Sequence, residues 1–134
     1  MKILLLTLFA LPFSMLFAQG NLQFNQVLTI SGSISVSSSS GKVNSPTQTV
    51  PSAKVWKVEY IGGSYVSGTY FAPIPWGVTI NTQDLYVSTS SYLTSLNSPI
   101  WLKAGDQLSF VTSGTGSTGS IEYLFSIIEF NIIP

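Results

Sequence analysis

The sequence predicts an all-β domain built as a two-sheet β-sandwich, standing behind a cleaved N-terminal signal peptide. Three observations carry this. Beyond residue 18 no window spaces its apolar residues at helical intervals. β-Branched and aromatic residues recur instead in short runs, and Gly, Pro, Ser and Asn punctuate those runs as turn residues do. Ten runs fit within the chain, at 22–30, 33–37, 42–49, 54–61, 67–71, 78–80, 84–88, 100–102, 107–112 and 121–132. So many strands in a domain this small imply two packed sheets.

The leader is read from Met1-Lys2, a positive start, followed by an apolar stretch from Ile3 to Ala18 that Thr7, Pro12 and Ser14 interrupt. This is the pattern of a secretory signal, with cleavage expected after Ala18. Its 16 residues fall short of the roughly 20 needed to span a bilayer core, so the mature chain, residues 19–134, is expected to have no transmembrane segment. No cysteine stands at the cleavage point to take a lipid. The expected destination is secretion or the cell surface, with the periplasm as the other compartment open to an exported chain.

Among the runs, Lys54-Val55-Trp56-Lys57-Val58-Glu59-Tyr60 alternates most clearly. Trp56, Val58 and Tyr60 are expected on a buried face, and Val55, Lys57 and Glu59 on a wet one. Pro51-Ser52 makes the turn before it and Gly62-Gly63 is expected to end it. The Ser/Gly-rich stretches at 37–42 and 112–120 read as hairpin tips. Gly114 and Gly119 lack the Lys-Ser/Thr ending of a phosphate-binding loop. Asp106, after Ala104-Gly105, reads as a turn residue, with Gly105 free to take positive φ.

The terminal run differs from the others. Ile121, Tyr123, Phe125 and Ile127 fall on one face, and Leu124, Ile128, Phe130 and Ile132 on the other. A sandwich strand turns only one face to the core, so the second apolar face needs a cover. Leu124, Ile128, Phe130 and Ile132 are therefore the candidate subunit interface, with intramolecular cover as the alternative.

Charge is sparse. The chain has five Lys, no Arg, five acids, no His and no Cys. Nucleic-acid binding needs clustered cations and is not expected. Without His or Cys the usual general base, thiolate nucleophile and transition-metal ligands are missing. Glu59, Asp84, Asp106, Glu122 and Glu129 are scattered, which singles out no carboxylate pair for glycoside chemistry and no Asp-rich calcium loop. Glu122 and Glu129, near strand ends, are expected to be solvated or lysine-paired. No enzyme, cofactor or metal is expected. Loss of Lys2 with the leader leaves four lysines against five acids, so copies of the mature chain repel each other little.

Exposed aromatics on a β-scaffold stack on sugar rings or anchor protein contacts. Trp76 follows Pro73-Ile74-Pro75, which is expected to hold it on a loop, and with Tyr65 and Tyr70 it forms the candidate ligand-contact set. The competing reading has Trp76 plugging the end of the sandwich. Trp56 and Trp101, within strands, are expected in the core.

Two segments, Val50-Pro51-Ser52-Ala53-Lys54-Val55-Trp56-Lys57-Val58 and Ile100-Trp101-Leu102-Lys103-Ala104-Gly105-Asp106-Gln107-Leu108, resemble small exported bacterial jelly-roll proteins of unassigned function. The Leu-x-x-Gly-Asp turn, followed by the apolar terminal run Phe125-Ser126-Ile127-Ile128-Glu129-Phe130, is similar to trimeric jelly rolls of the tumour-necrosis-factor and complement globular-head type. The resemblance implies a jelly roll, with a trimer as its assembly, used for binding or as a surface building block. No receptor-contact or calcium motif of those families can be placed here, so no functional residue follows from it. The leading expectation is an exported, non-enzymatic homo-oligomer acting by self-association or adhesion to a surface protein. A carbohydrate-binding module whose partner is a glycan is the alternative, and a membrane-docking or pore-forming β-protein a further one.

Overall fold

A computed structural model of the chain describes residues 21–37, 39, 41–69, 75–88, 99–113 and 118–133. The expected leader at 1–18 and Tyr70 lie outside the described residues. The strands are β1 (Asn21–Val36), β2 (Lys42–Asn44), β3 (Gln48–Thr49), β4 (Lys54–Thr69), β5 (Trp76–Ile80), β6 (Gln83–Ser88), β7 (Ile100–Lys103), β8 (Gln107–Ser113) and β9 (Thr118–Ile133). They form two antiparallel sheets, one in the order β1-β9-β4-β7 and one in the order β2-β8-β5-β6, with β3 also paired to β8. Counting β2 and β3 as one interrupted strand, each sheet has four strands in the order of a jelly roll. The interruption falls at Pro46, which has no N–H to give to a ladder. Ser45 bridges the gap: its N–H donates to Phe110 O and its Oγ accepts from Phe110 N, both at 2.9 Å.

Two pairs of expected strands are in fact single strands, because the glycines between them mark close packing instead of turns. β1 runs through Gly32, which pairs with Tyr123; a Cβ there would lie 2.6 Å from the Tyr123 hydroxyl. β4 runs through Gly62-Gly63, where a Cβ on Gly63 would lie 2.9 Å from Phe110 Cζ. In both places a glycine lets a large ring approach the backbone.

Of the register shifts in the two sheets, two β-bulges decide how the outer face is populated. In β1 the register steps from Phe24↔Phe130 to Gln26↔Glu129, leaving Asn25 as the extra residue. In β4 it steps from Val58↔Ile127 to Tyr60↔Ser126, leaving Glu59 as the extra residue. A bulge puts two residues opposite one and so reverses the alternation beyond it. Tyr60 consequently joins the outer face, contrary to the plain alternation of the sequence, while Ile61, Gly63 and Tyr65 turn inward.

Between the sheets lie Ile34, Trp56, Val58, Ile61, Ile121, Phe125 and Ile127 from one layer, and Trp76, Val78, Leu108 and Phe110 from the other. The layers are joined through rings: Phe110 stacks on Trp76 at 5.6 Å and on Tyr123 at 5.4 Å between centroids. Burying each such side chain contributes about 1.5–3 kcal/mol. The turn at Gly105 has φ 86°, and Asp106 Oδ2 accepts from Lys103 N at 2.9 Å, closing it as the sequence indicates.

Candidate functional site

The outer face of the β1-β9-β4-β7 sheet is the part of the molecule that core packing leaves unexplained. The strand registers arrange its side chains in rows. Leu22 lies beside Ile132; Phe24 beside Phe130, Val55 and Lys103; Val27 beside Ile128, Lys57 and Trp101. Above them come Thr29, Ser126 and Tyr60, then Ser31, Leu124 and Gly62, then Ser33, Glu122 and Ser64. One half of the face is therefore apolar and the other half polar.

The apolar half is open to solvent. Phe24 and Val27 are each 60% exposed and Trp101 is 52% exposed. The Trp101 ring stacks on Phe130 at 5.7 Å, and Lys57 Nζ lies 5.7 Å from its centroid. Lys57 is also bound to Glu59 at 2.5 Å, which neutralises its charge, and exposed Lys103 stands at the β7 end of the Phe24 row. The Asn25 bulge makes the patch contiguous, since without it Phe24 and Val27 would point to opposite faces. Beside the patch runs β1, an edge strand with neither a charge nor a proline along its 16 residues. Natural edge strands are usually guarded by such residues.

The polar half carries a groove of about 580 Å³, lined by Ser31, Ser33, Tyr60, Gly62, Ser64, Glu122 and Leu124 over a floor of Gly32, Gly63 and Tyr123. The Tyr60 ring is laid against the sheet: a Cβ on Gly62 would come within 2.6 Å of its hydroxyl oxygen and 2.7 Å of Cε1.

On the opposite, core-facing side of the same sheet sits Glu129, which is only 3% exposed. Oε2 accepts from Trp56 Nε1 at 2.8 Å, and Oε1 accepts from Asn25 Nδ2 at 2.6 Å and Gln26 Nε2 at 3.0 Å. Lys54 Nζ lies 3.7 Å away and donates to Asn131 Oδ1. Burial raises the Glu129 pKa, but the bonds from Trp56, Gln26 and Asn25, with the charge on Lys54, hold it below the ordinary value. A general acid or base works best with a pKa near the working pH. This carboxylate is moved away from neutrality and its lone pairs are engaged, so it acts as a rivet joining β1, β4 and β9.

The expected site residues separate. Trp76 is a correction: it lies within β5, 1% exposed and stacked on Phe110, instead of on a loop. Gly63 opposite it leaves the room that the two indole and phenyl rings fill, so burial outweighs the prolines before it. Tyr65, turned inward beyond the Glu59 bulge, packs half-buried against the core. These positions correct the expectation of an exposed patch for Trp76 and Tyr65, Trp76 filling the interior as its competing reading had it, while Tyr70 lies outside the described residues. Ile128, Phe130 and Ile132 do share one surface, while Leu124 belongs to the groove. Trp101 is a second correction, for its neighbours Ile100 and Leu102 take the inward positions in β7. Glu129, expected to be solvated or lysine-paired, is a third in its burial alone: it is paired with Lys54 but enclosed.

The sequence does not mark Leu22, Phe24 and Val27 as one surface, because the bulge that aligns them has no compositional signature. Among the described residues no group of three His, Cys, Asp or Glu could hold a metal ion, and no helix is long and apolar enough to cross a membrane. No family model matches the chain, and no curated protein matches it.

Proposed function

We propose that this chain is an exported, non-enzymatic interaction protein that associates with further copies of itself through the apolar half of the outer face. The observation that carries this reading is the set of exposed Phe24, Val27 and Trp101 with half-buried Phe130 and Ile128, which spans β1, β9 and β7 with Val55 and Lys57 of β4 between. Covering each large side chain is worth about 1.5–3 kcal/mol. A second copy is a suitable cover on electrostatic grounds, since the mature chain is nearly neutral and Lys57 is already paired with Glu59. Among the described residues β1 has a ladder partner, β9, on one side alone, and a two-fold copy of β1 would satisfy the backbone donors and acceptors of its uncharged free edge reciprocally.

Light scattering on residues 19–134 tests the reading. The expected result is an oligomer for the natural sequence and a dispersed monomer for Val27→Lys, an exposed position whose substitution leaves the core intact. A natural sequence that stays monomeric at high micromolar concentration overturns it. So does an oligomer indifferent to Val27→Lys and Phe24→Asp.

A further inference from the structure

The groove in the polar half of the face is independent of the apolar rows, and its chemistry narrows the ligand. Its polar groups are largely unspent. Ser33 Oγ shares a 2.6 Å hydrogen bond with Ser120 Oγ, whereas the side chains of Ser31, Ser64 and Glu122 have no hydrogen-bond or ion-pair partner among the described residues. A carboxylate, several hydroxyls and one tyrosine ring therefore converge on a concave surface of about 580 Å³, within the ordinary range for small-molecule sites.

Each common ligand class can be held against that lining. An anion such as a phosphate ester would need cations, but no lysine lines the groove and Glu122 would repel it. A lipid chain or other fully apolar ligand would meet Leu124 and Tyr60 only, and would strand the carboxylate and hydroxyls without water. An extended peptide adds itself to a sheet edge, but here the floor is β9, which is hydrogen-bonded on both sides by β1 and β4. A neutral saccharide offers what remains: hydroxyls to pair with Glu122, Ser31 and Ser64, and a C–H face to lie on an aromatic ring.

We propose that this groove binds a neutral saccharide, with the Tyr60 ring as the stacking platform and Glu122, Ser31 and Ser64 as hydrogen-bonding groups. Gly62 is part of the site because it lets the Tyr60 ring lie along the sheet; any side chain there would push the ring off. Glu122, exposed and unpaired, acts as a fixed acceptor that favours hydroxyl donors and disfavours acidic sugars.

The test is an array of neutral and sialylated glycans probed with residues 19–134, followed by calorimetric titration of the strongest neutral binder. The expected result is binding to neutral glycans, weakened at least tenfold by Tyr60→Ala and severalfold by Glu122→Gln. Both Glu122→Gln and Ser64→Ala lie on the surface and should melt as the natural sequence does, which keeps the test informative if Tyr60→Ala unfolds. The Val27→Lys chain should bind as well as the natural one, since the groove does not include that row; this holds whether or not the chain self-associates. No binding to any neutral glycan, binding to acidic glycans alone, or affinity unchanged in Tyr60→Ala and Glu122→Gln would each overturn the proposal.

Discussion

Trp56 Nε1 donates to Glu129 Oε2 at 2.8 Å, joining an indole and a carboxylate that both face the interior from neighbouring strands. Because Asn25 and Gln26 donate to the other carboxylate oxygen, the same group also fixes the bulge that turns Phe24 and Val27 outward. A buried polar cluster and an exposed apolar surface thus depend on one another. Replacing Trp56 by Phe removes the donor to Oε2 and should cost about 1–3 kcal/mol, the desolvation penalty of an unsatisfied buried acceptor. Glu129→Ala should cost more, since it strands donors from both neighbouring strands, Asn25 and Gln26 on β1 and Trp56 on β4. A double-mutant cycle in urea should return a coupling of about 0.5–3 kcal/mol; additive losses would mean that the bond carries no coupling.

The pH dependence follows from the same carboxylate. Its pKa in the folded state is below the ordinary 4.5, with burial opposing the shift and the three donors and Lys54 prevailing. The unfolded chain therefore takes up the proton first, and stability from this group is complete above the unfolded value and lost as pH falls through the folded one. Asp84 acts in the same direction, lowered by its hydrogen bonds from Lys42 at 2.7 Å and from Thr79. Urea midpoints measured from pH 7 downward should fall below about pH 5. Glu129→Gln should flatten that acid limb, and an unchanged slope would show that Glu129 titrates alike in both states.

Gly63 gives a test of the packing between layers. Alanine there would place Cβ 2.9 Å from Phe110 Cζ and 3.4 Å from Trp76 Cδ2, in a core with little room to yield. Gly63→Ala should destabilise the fold by about 1–3 kcal/mol through overpacking. Gly41→Ala, with nothing within 4 Å of its Cβ, should stay within about 0.5 kcal/mol of the natural sequence. Equal thermal melts for the two variants would contradict the close approach of Gly63 to the rings.

What the sequence reveals and conceals can be traced to the bulges. β9 has a regular register along its length against β1 and β4 apart from the partners' own bulges, so its two faces are legible from alternation alone. That alternation even carries Glu129, which follows Ile127 on the inward face, although its charge argues for the surface. β4 is legible only as far as Val58, because the extra residue at Glu59 is chemically ordinary and reverses the alternation from Tyr60 to Tyr65, where a second extra residue, Val66, shifts it again. The same concealment hides the Phe24–Val27 pairing and places Tyr60, not Tyr65, on the outer face. Gly32 and Gly63 mislead for a different reason: their meaning comes from rings that are distant in sequence, Tyr123 and Phe110.

Trp101 offers a direct reading of the apolar half. It is 52% exposed while Trp56 and Trp76 are 4% and 1% exposed, so in the dispersed chain it should supply nearly all of the fluorescence that acrylamide quenches. Trp101→Phe should remove that fraction and cost only about 0.5–1 kcal/mol through the lost contact with Lys57. If copies meet through the rows around Phe24 and Phe130, quenching of the natural sequence should decline as concentration rises and emission should shift to the blue. Val27→Lys should keep Trp101 quenchable at every concentration. An oligomer in which Trp101 remains fully quenchable must be built through another surface, and the β1 edge, adjoining the patch without containing Trp101, would then be the contact to examine by Ser33 and Ser35 substitutions to proline.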